Sequence, residues 1–279
     1  MEQKLELTSS VQQDVQRALA EDIGPGDVTA QLVPDSETAI ARVITRVPAV
    51  LSGSAWFIEC FRQIDPAIAI SWHADDGDRL SRDQVMCELQ GRARSLLTGE
   101  RSALNFLQTL SAVATRTRAF VDAVAGTKAV ILDTRKTIPG LRTALKYAVR
   151  CGGGSNHRLG LYDGILIKEN HIASAGGIAA VLKQARKLAP HLPTEIEVES
   201  IDQLTQAITA GAKLILLDNF GIASLREAVK ATAGRALLEA SGGINLETVR
   251  AIAETGVDRI SIGSLTKDIQ AVDLSMRFL

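Results

Sequence analysis

The chain has 279 residues, of which 46% are apolar, enough to build one large domain or two of ordinary size around buried cores. Its 31 basic and 32 acidic residues leave a formal net charge of -1, so the whole molecule has no field that would favour nucleic acid. Three cysteines without a CxxC pair indicate neither a disulfide framework nor a zinc site, and the start, MEQKLELTSS, shows no leader pattern, so we expect a cytoplasmic protein without a membrane span.

The first part of the chain lacks a repeating order of elements. A helix is predicted over residues 10–21, then a strand over 40–46, a turn at 75–78 and a strand over 84–89. A long helix is predicted to begin near Thr98, which could cap it, and to run through LNFLQTLSAVATRTRAFV. We therefore predict an α+β domain over residues 1–112, joined by the C-terminal tail 270–279.

From Ala129 onward, short apolar runs alternate with amphipathic stretches of helical period. The predicted strands are AVILD, GILIK, TEIEVE, KLILLD, ALLEA and RISIG. This alternation is typical of βα units with a parallel sheet, and about six units fall short of the eight in a complete barrel. The fold class is therefore predicted as α/β, with an incomplete (open) α/β barrel over residues 113–269 beside the N-terminal α+β domain.

Charged residues stand at or near the carboxyl ends of five predicted strands. Because such strand ends converge on one rim, we expect a polar site there. The residues are Asp133, Lys168, Glu197, Asp218 and Glu239.

Cations cluster in one stretch of the chain. Those predicted to face the rim are Arg135, Lys136, His157, Arg158 and Lys168. Neighbouring cations repel one another unless an anion is bound, and guanidinium groups suit carboxylate or phosphate. For Arg142, Lys146 and Arg150, at fourfold spacing, a solvated helix face explains the pattern equally well.

Carboxylates are expected opposite these cations. In TEIEVES the period of two places Glu195, Glu197 and Glu199 on one face, directed to the barrel mouth, although a surface edge strand also explains the pattern. Asp218 closes the fully apolar strand LILLD. Two such carboxylates near a phosphate ester can hold a divalent cation, ribose hydroxyls or both.

Glycine turns follow the last two predicted strands. They contain Ser241, Gly242, Gly243, Gly263 and Ser264. Such turns let backbone N–H groups approach a phosphate, although a Ser-Gly-Gly turn taken alone is more often only a tight turn. The absence of GxxxxGK and GxGxxG motifs disfavours nucleoside triphosphate and dinucleotide modules.

The chain resembles the quinolinate phosphoribosyltransferases, also called nicotinate-nucleotide pyrophosphorylases (carboxylating), from Glu21 to the C-terminus in the expected order. The motifs are EDIGPGDVT, GERSALNFLQTLSAVAT, TRKTIPGLRTALKYAVRCGGGSNHRLGLYDGILIKENHI, EIEVES, LLDNF and EASGGI. The resemblance implies an incomplete α/β barrel and transfer of phosphoribose from phosphoribosyl pyrophosphate to quinolinate. The products are nicotinate mononucleotide, pyrophosphate and carbon dioxide, in NAD biosynthesis and with Mg²⁺.

The resemblance also implies roles for particular residues. Quinolinate is expected to contact Arg135, His157, Arg158 and Lys168. Thr134 and Lys136 are also expected to bind substrate, Lys136 near the anionic groups of the substrates. The catalytic residues are expected to be Lys136, Lys168, Glu197 and Asp218. Glu197 and Asp218 are expected around the ribose and Mg²⁺, with the 5'-phosphate on Ser241, Gly242, Gly243, Gly263 and Ser264. Arg101 is expected to reach in from the partner subunit of a homodimer, which can assemble further into a hexamer.

One residue departs from the family pattern, since Lys267 stands where many members carry a histidine after GSLT. Both residues can be cationic, so this puts one phosphate contact in doubt rather than the activity. Three other hypotheses stay open at this point. They are the paralogous molybdenum-transport-associated protein, a binding protein without catalysis, and a different barrel enzyme that acts on a phosphorylated sugar.

Overall fold

The computed structural model describes residues 7–279. Residues 1–6, which carry part of the start MEQKLELTSS and of the predicted first domain, lie outside the described residues. The described chain forms two compact units. The first comprises the described residues up to Arg118, Thr137–Gly153 and Leu265–Leu279, and the second comprises Ala119–Lys136 and Gly154–Ser264. None of the helices in this part of the chain has the length and apolar character needed to cross a membrane.

The first unit is built from helices around an antiparallel sheet. Its helices are α1 (Leu7–Ile23), a short 3-10 turn (Ala30–Leu32), α2 (Ser54–Ile64), α3 (Ala93–Ala123, to Arg118 in this unit) and α4 (Arg142–Cys151). Its strands are β1 (Thr38–Thr45), β2 (Ala49–Val50), β3 (Ala69–Trp72), β4 (Arg79–Leu80), β5 (Val85–Arg92) and β12 (Leu274–Phe278). The main sheet has the order β12-β1-β5-β3, so the C-terminal tail completes it, and β2 pairs with β4.

Two expectations about helices are wrong. The long helix begins at Ala93 rather than near Thr98. Thr98 lies within the helix, and its hydroxyl donates to Asp27 Oδ2 at 2.9 Å. The helix α4, predicted as part of the βα repeat, belongs to the first unit, where Tyr147 Oη donates to Asp76 Oδ2 at 2.8 Å. Lys146 on α4 is fully buried, so a solvated helix face does not explain it.

The second unit contains the predicted parallel sheet of six strands. These are β6 (Val130–Leu132), β7 (Ile165–Ile167), β8 (Thr194–Val198), β9 (Leu214–Asp218), β10 (Leu237–Ser241) and β11 (Arg259–Ser261). Their order is β6-β11-β10-β9-β8-β7, so the first strand lies beside the last and the sheet ends at β6 and β7. The helices are α5 (Glu169–Ser174), α6 (Ile178–Leu188), α7 (Ile201–Thr209), α8 (Ile222–Thr232) and α9 (Val249–Ala253). After β11 comes α10 (Ser264–Lys267), of which only Ser264 belongs to this unit. The predicted incomplete α/β barrel is confirmed.

The strand β8 explains why the barrel interior is polar. Ile196 and Val198 are fully buried, and the alternating Glu195 and Glu197 are only 5% and 9% exposed. The strand β8 lies between β7 and β9, which excludes the alternative of a surface edge strand. Both faces are therefore covered, and the glutamates point to the side opposite the apolar residues.

Candidate active site

The strand ends bring most of the predicted charged residues to one end of the sheet. Asp133 and Lys168 directly follow β6 and β7, Glu197 is the penultimate residue of β8, and Asp218 is the last of β9. The expectation that Glu239 also stands near a strand end is wrong, because it occupies the middle of β10. It is paired with Leu216 and Arg259, whereas Ser241 is paired with Asp218.

A loop of residues 154–158 is attached to the free edge of β6. Ser155 forms an isolated parallel bridge with Leu132, and its N–H donates to Ile131 O at 2.9 Å. The fully buried Asp133 carboxylate accepts hydrogen bonds from Asn156 Nδ2 at 2.6 Å and from the His157 N–H at 2.9 Å. These bonds hold His157 and Arg158 beside the end of β6, although Asp133 and Asn156 themselves were not among the predicted binding residues.

Two arginines lie within electrostatic reach of one another in this region. The pKa of the Arg158 guanidinium is lowered, first by burial and then by the charge of Arg135. The Arg158 side chain is fixed by donation from Nη1 to Gly164 O at 3.0 Å. A pair of partly buried guanidinium groups is unfavourable by itself and becomes favourable when an anion lies between them.

Lys168 and Glu197 form an ion pair at the ends of two adjacent strands. Lys168 Nζ lies 2.8 Å from Glu197 Oε2, and the two side chains are 46% and 10% exposed. The Lys168 N–H donates to Nδ1 of His171 at 3.0 Å, in the first turn of α5. The ion pair therefore lies where the predicted cations meet the predicted carboxylates of the rim.

Asn219, which was not predicted as a site residue, organises the end of β9. Its backbone is left-handed, with φ of 57°, a conformation that asparagine tolerates better than most residues. Its Nδ2 donates to Asp218 Oδ2 at 2.8 Å, and its N–H donates to Ser241 O at 2.9 Å. A Cβ on Gly242 would lie 2.1 Å from Asn219 Oδ1, so this position requires glycine.

Lys136, Thr134 and Gly263 come together where the chain leaves β6 and β11. The Lys136 N–H donates to Thr134 Oγ1 at 3.0 Å. A Cβ on Gly263 would lie 2.9 Å from Lys136 Cδ and 3.5 Å from Thr134 Oγ1. The lysine side chain therefore passes directly over the glycine, and Ser264 begins α10 immediately afterwards.

Two predicted binding residues, Arg101 and Lys267, lie in the first unit. Arg101 is exposed on α3, next to Ser102, whose hydroxyl donates to Asp22 at 3.3 Å. Lys267 is exposed, and its Nζ contacts the carboxylate of Asp268 at 2.7 Å and 2.8 Å. Within its own subunit, neither residue is part of the barrel unit.

The fold and the rim together define an α/β-barrel protein that carries cationic side chains and carboxylates at the ends of its strands. The sequence profile of the quinolinate phosphoribosyl transferase C-terminal domain matches residues 113–277, and that of the N-terminal domain matches residues 27–111. The chain belongs to the quinolinate phosphoribosyltransferase family.

Curated relatives and solved structures agree with this family. The chain is 45% identical to a probable nicotinate-nucleotide pyrophosphorylase [carboxylating] of Bacillus subtilis, over 92% of this chain and 89% of the relative. It is 43% identical to the Mycobacterium leprae nicotinate-nucleotide pyrophosphorylase [carboxylating], over 94% and 95%. The structure of the nicotinate-nucleotide pyrophosphorylase from Francisella tularensis superposes with a TM-score of 0.95 at 47% identity, covering 97% of this chain and 96% of that one.

Proposed function

We propose that the barrel rim transfers phosphoribose from phosphoribosyl pyrophosphate to quinolinate with loss of carbon dioxide, giving nicotinate mononucleotide and pyrophosphate. Membership of the family gives the reaction class, a decarboxylating pentosyltransferase of NAD biosynthesis. The observation that carries the assignment of the acceptor pocket is the placement of two arginines at the end of β6, where Arg135 follows the strand and Arg158 is fixed by donation to Gly164 O at 3.0 Å. Quinolinate has two carboxylates on neighbouring ring carbons, which suit two guanidinium groups.

The quinolinate pocket is formed by Thr134, Arg135, Arg158 and Lys168, with His157 at its border. The arginines neutralise the two carboxylates, and Lys168 occupies the side nearest Glu197, to which it is paired at 2.8 Å. The pocket thereby orients the pyridine nitrogen toward the carboxylates at the ends of β8 and β9.

Glu197 and Asp218 form the ribose and metal side of the site. Lys168 engages one oxygen of Glu197, and Asn219 engages one oxygen of Asp218, so a cation would meet the second oxygen of each. An oxygen-only donor set of this kind suits Mg²⁺, with further positions left for water and substrate oxygens. When bound, Mg²⁺ supplies charge neutralisation for the departing pyrophosphate.

The phosphate side is formed by Ser241, Gly242, Gly243, Gly263 and Ser264. Gly242 and Gly243 both have positive φ values, 106° and 60°, so the turn after β10 presents its backbone in a conformation that side chains disfavour. Lys136 lies over Gly263, so its ammonium group lies by the turn after β11, where its Nζ would be 3.7 Å from a Cβ on that glycine. These groups are suited to hold the 5'-phosphate and to stabilise pyrophosphate as it leaves.

The chemistry then follows from these positions. As pyrophosphate departs, Glu197 and Asp218 stabilise positive charge that develops at C1 of the ribose, and the pyridine nitrogen attacks that carbon. The bond between the ring carbon next to the quaternary nitrogen and its carboxylate then breaks, and carbon dioxide leaves. The electron pair stays on that ring carbon, where the positive nitrogen stabilises it, and the carbon takes a proton from water to give nicotinate mononucleotide. Lys136 and Lys168 contribute positive charge at the anionic groups, and no side-chain general acid is assigned.

Arg101 is proposed to complete the quinolinate pocket of the partner subunit in a homodimer, which can assemble further. The exposure of Arg101 and its place outside the barrel unit support this assignment, because the side chain is available to a second copy of the chain. Lys267 is proposed to take the phosphate contact that a histidine makes in many family members.

Calorimetry with quinolinate tests the acceptor pocket. The wild-type chain is expected to bind quinolinate, and Arg135→Ala is expected to abolish detectable binding. Arg226→Ala, which removes an exposed arginine from α8, is the matched control and should bind as the wild type does. Retained quinolinate binding by Arg135→Ala would refute the role of Arg135.

A further inference from the structure

Beneath the proposed quinolinate pocket, His157 is held by a hydrogen-bond chain that the reaction does not use. Its Nε2 lies 2.7 Å from Glu195 Oε2 and 3.7 Å from Glu239 Oε1. The side chains of His157, Glu195 and Glu239 are 14%, 7% and 1% exposed. A hydrogen bond to a carboxylate in such an environment is stronger than one in water.

The proton positions on the imidazole follow from its other nitrogen. The backbone N–H of Arg158 donates to His157 Nδ1 at 2.9 Å, and a backbone N–H is always a donor. Nδ1 is therefore an acceptor, so the neutral ring carries its hydrogen on Nε2 and donates it to Glu195. Both ring nitrogens are thus engaged within the protein.

The same hydrogen-bond pattern separates this arrangement from a metal site. One ligand-type atom from each of the three residues lies within 4.8 Å of the others. A metal on Nε2 would displace the Nε2 hydrogen, which a neutral ring would then have to carry on Nδ1. That hydrogen would oppose the Arg158 N–H, so the geometry favours hydrogen bonding over metal binding.

We propose that Glu195 is a positioning residue, which fixes the tautomer and orientation of His157 and, through it, the backbone of Arg158 in the quinolinate pocket. Glu239 lies at the buried end of this hydrogen-bond chain, with its Oε1 3.7 Å from His157 Nε2. His157 accordingly acts on quinolinate through Arg158 rather than by a direct nitrogen contact. This inference rests on the proposed function for its effect on quinolinate, but the tautomer of His157 is independent of the reaction.

Kinetics with paired variants at Glu195 test the effect on the pocket. Glu195→Leu removes the acceptor and should raise the KM for quinolinate about 10- to 100-fold, the range for loss of a hydrogen bond to a charged group. The KM for phosphoribosyl pyrophosphate should stay within about threefold. Glu195→Gln keeps an acceptor oxygen and should restore most of the quinolinate affinity. Glu199→Leu, the same substitution at an exposed position just after β8, is the matched control.

Nitrogen-15 NMR of histidine-labelled protein gives a readout that does not depend on turnover. His157, assigned with a His157→Asn variant, should show a protonated Nε2 and an unprotonated Nδ1 in the wild type and in Glu195→Gln. A proton on Nδ1, a stoichiometric divalent metal bound to His157 Nε2, seen as a metal-dependent shift of that nitrogen, or an unchanged KM for quinolinate in folded Glu195→Leu would overturn the proposal. If Glu195→Leu does not fold, the tautomer of His157 in the wild-type protein and the presence or absence of a metal on its Nε2 decide whether the proposal holds. A wild-type chain that neither binds nor turns over quinolinate would refute the proposed function while leaving the tautomer test intact.

Discussion

Replacing Gly242 by alanine should break the hydrogen bond by which Asn219 orients the Asp218 carboxylate. The new Cβ would lie 2.1 Å from Asn219 Oδ1 and 2.8 Å from Asn219 Cγ, so the Asn219 amide must move. Its hydrogen bond to Asp218 Oδ2, 2.8 Å long, would then be lost. A hydrogen bond to a charged group contributes about 1.5–3 kcal/mol, which corresponds to roughly 10- to 100-fold in kcat/KM if the contact is fully used.

Gly234 provides a matched control, because it also has a positive φ, a Cβ added there would meet no atom within 4 Å, and it lies between α8 and β10, outside the proposed phosphate site. Gly234→Ala should therefore cost only the left-handed backbone strain, about 1–2 kcal/mol of unfolding free energy. Steady-state kinetics with phosphoribosyl pyrophosphate as the varied substrate should show a much larger loss for Gly242→Ala than for Gly234→Ala, each measured on protein with a wild-type circular dichroism spectrum.

A double-mutant cycle isolates the Asn219 contact. Asn219→Gly keeps the left-handed backbone, φ 57°, and removes the amide. If the clash with Asn219 causes the loss, Gly242→Ala should add less than about threefold in the Asn219→Gly background. Equal losses for the two glycine variants, or full additivity with Asn219→Gly, would refute this reasoning.

Three further predictions concern stability, assembly and metal. Burial and the charge of Glu195 raise the pKa of Glu239 from 4.5 to about 7, so the folded state keeps a proton that the unfolded chain loses. The charged and titratable groups that face it are Glu195, His157 and Arg259. The free energy of unfolding relative to Glu239→Gln should therefore fall as pH rises from 4.5 to 7, and a flat difference in urea titrations would contradict it. Mixing inactive Arg101→Ala and Lys168→Ala subunits should restore about a quarter of wild-type activity, since one site in each hybrid dimer is intact, and no recovery would place Arg101 in its own subunit. EDTA should abolish turnover until Mg²⁺ is added, and Glu197→Gln should raise the half-saturating Mg²⁺ concentration roughly tenfold, whereas an unchanged requirement would remove Glu197 from the metal site.

The sequence is informative about the barrel because its strands are buried on both sides. Runs such as LILLD are continuous in apolar character, end on a charged residue and are separated by amphipathic helices, so both the strands and their functional ends can be located. The count of six units predicts an incomplete barrel, and the sheet is open between β6 and β7, its two edge strands.

Hydrophobic periodicity could not predict contacts between residues that lie far apart in the sequence. The helix α4 has the period expected of a barrel helix, but Tyr147 bonds to Asp76 in the first unit, 71 residues earlier. Thr98 has a capping side chain, yet the helix begins one turn earlier and the hydroxyl bonds to Asp27. Asn219 had a local signal, since asparagine after a strand favours a left-handed turn, but its contact with Gly242 depends on the adjacent strand.

The most direct test of the proposed function measures two of the three products of one turnover, carbon dioxide and pyrophosphate. Purified protein, Mg²⁺ and phosphoribosyl pyrophosphate are incubated with quinolinate labelled in the carboxylate next to the ring nitrogen. The proposed function predicts that labelled carbon dioxide and pyrophosphate are released in equal amounts and that nicotinate does not replace quinolinate as the substrate. The Arg135→Ala variant should release neither product, whereas Arg226→Ala should release both. No quinolinate-dependent release, or pyrophosphate without labelled carbon dioxide, would contradict it.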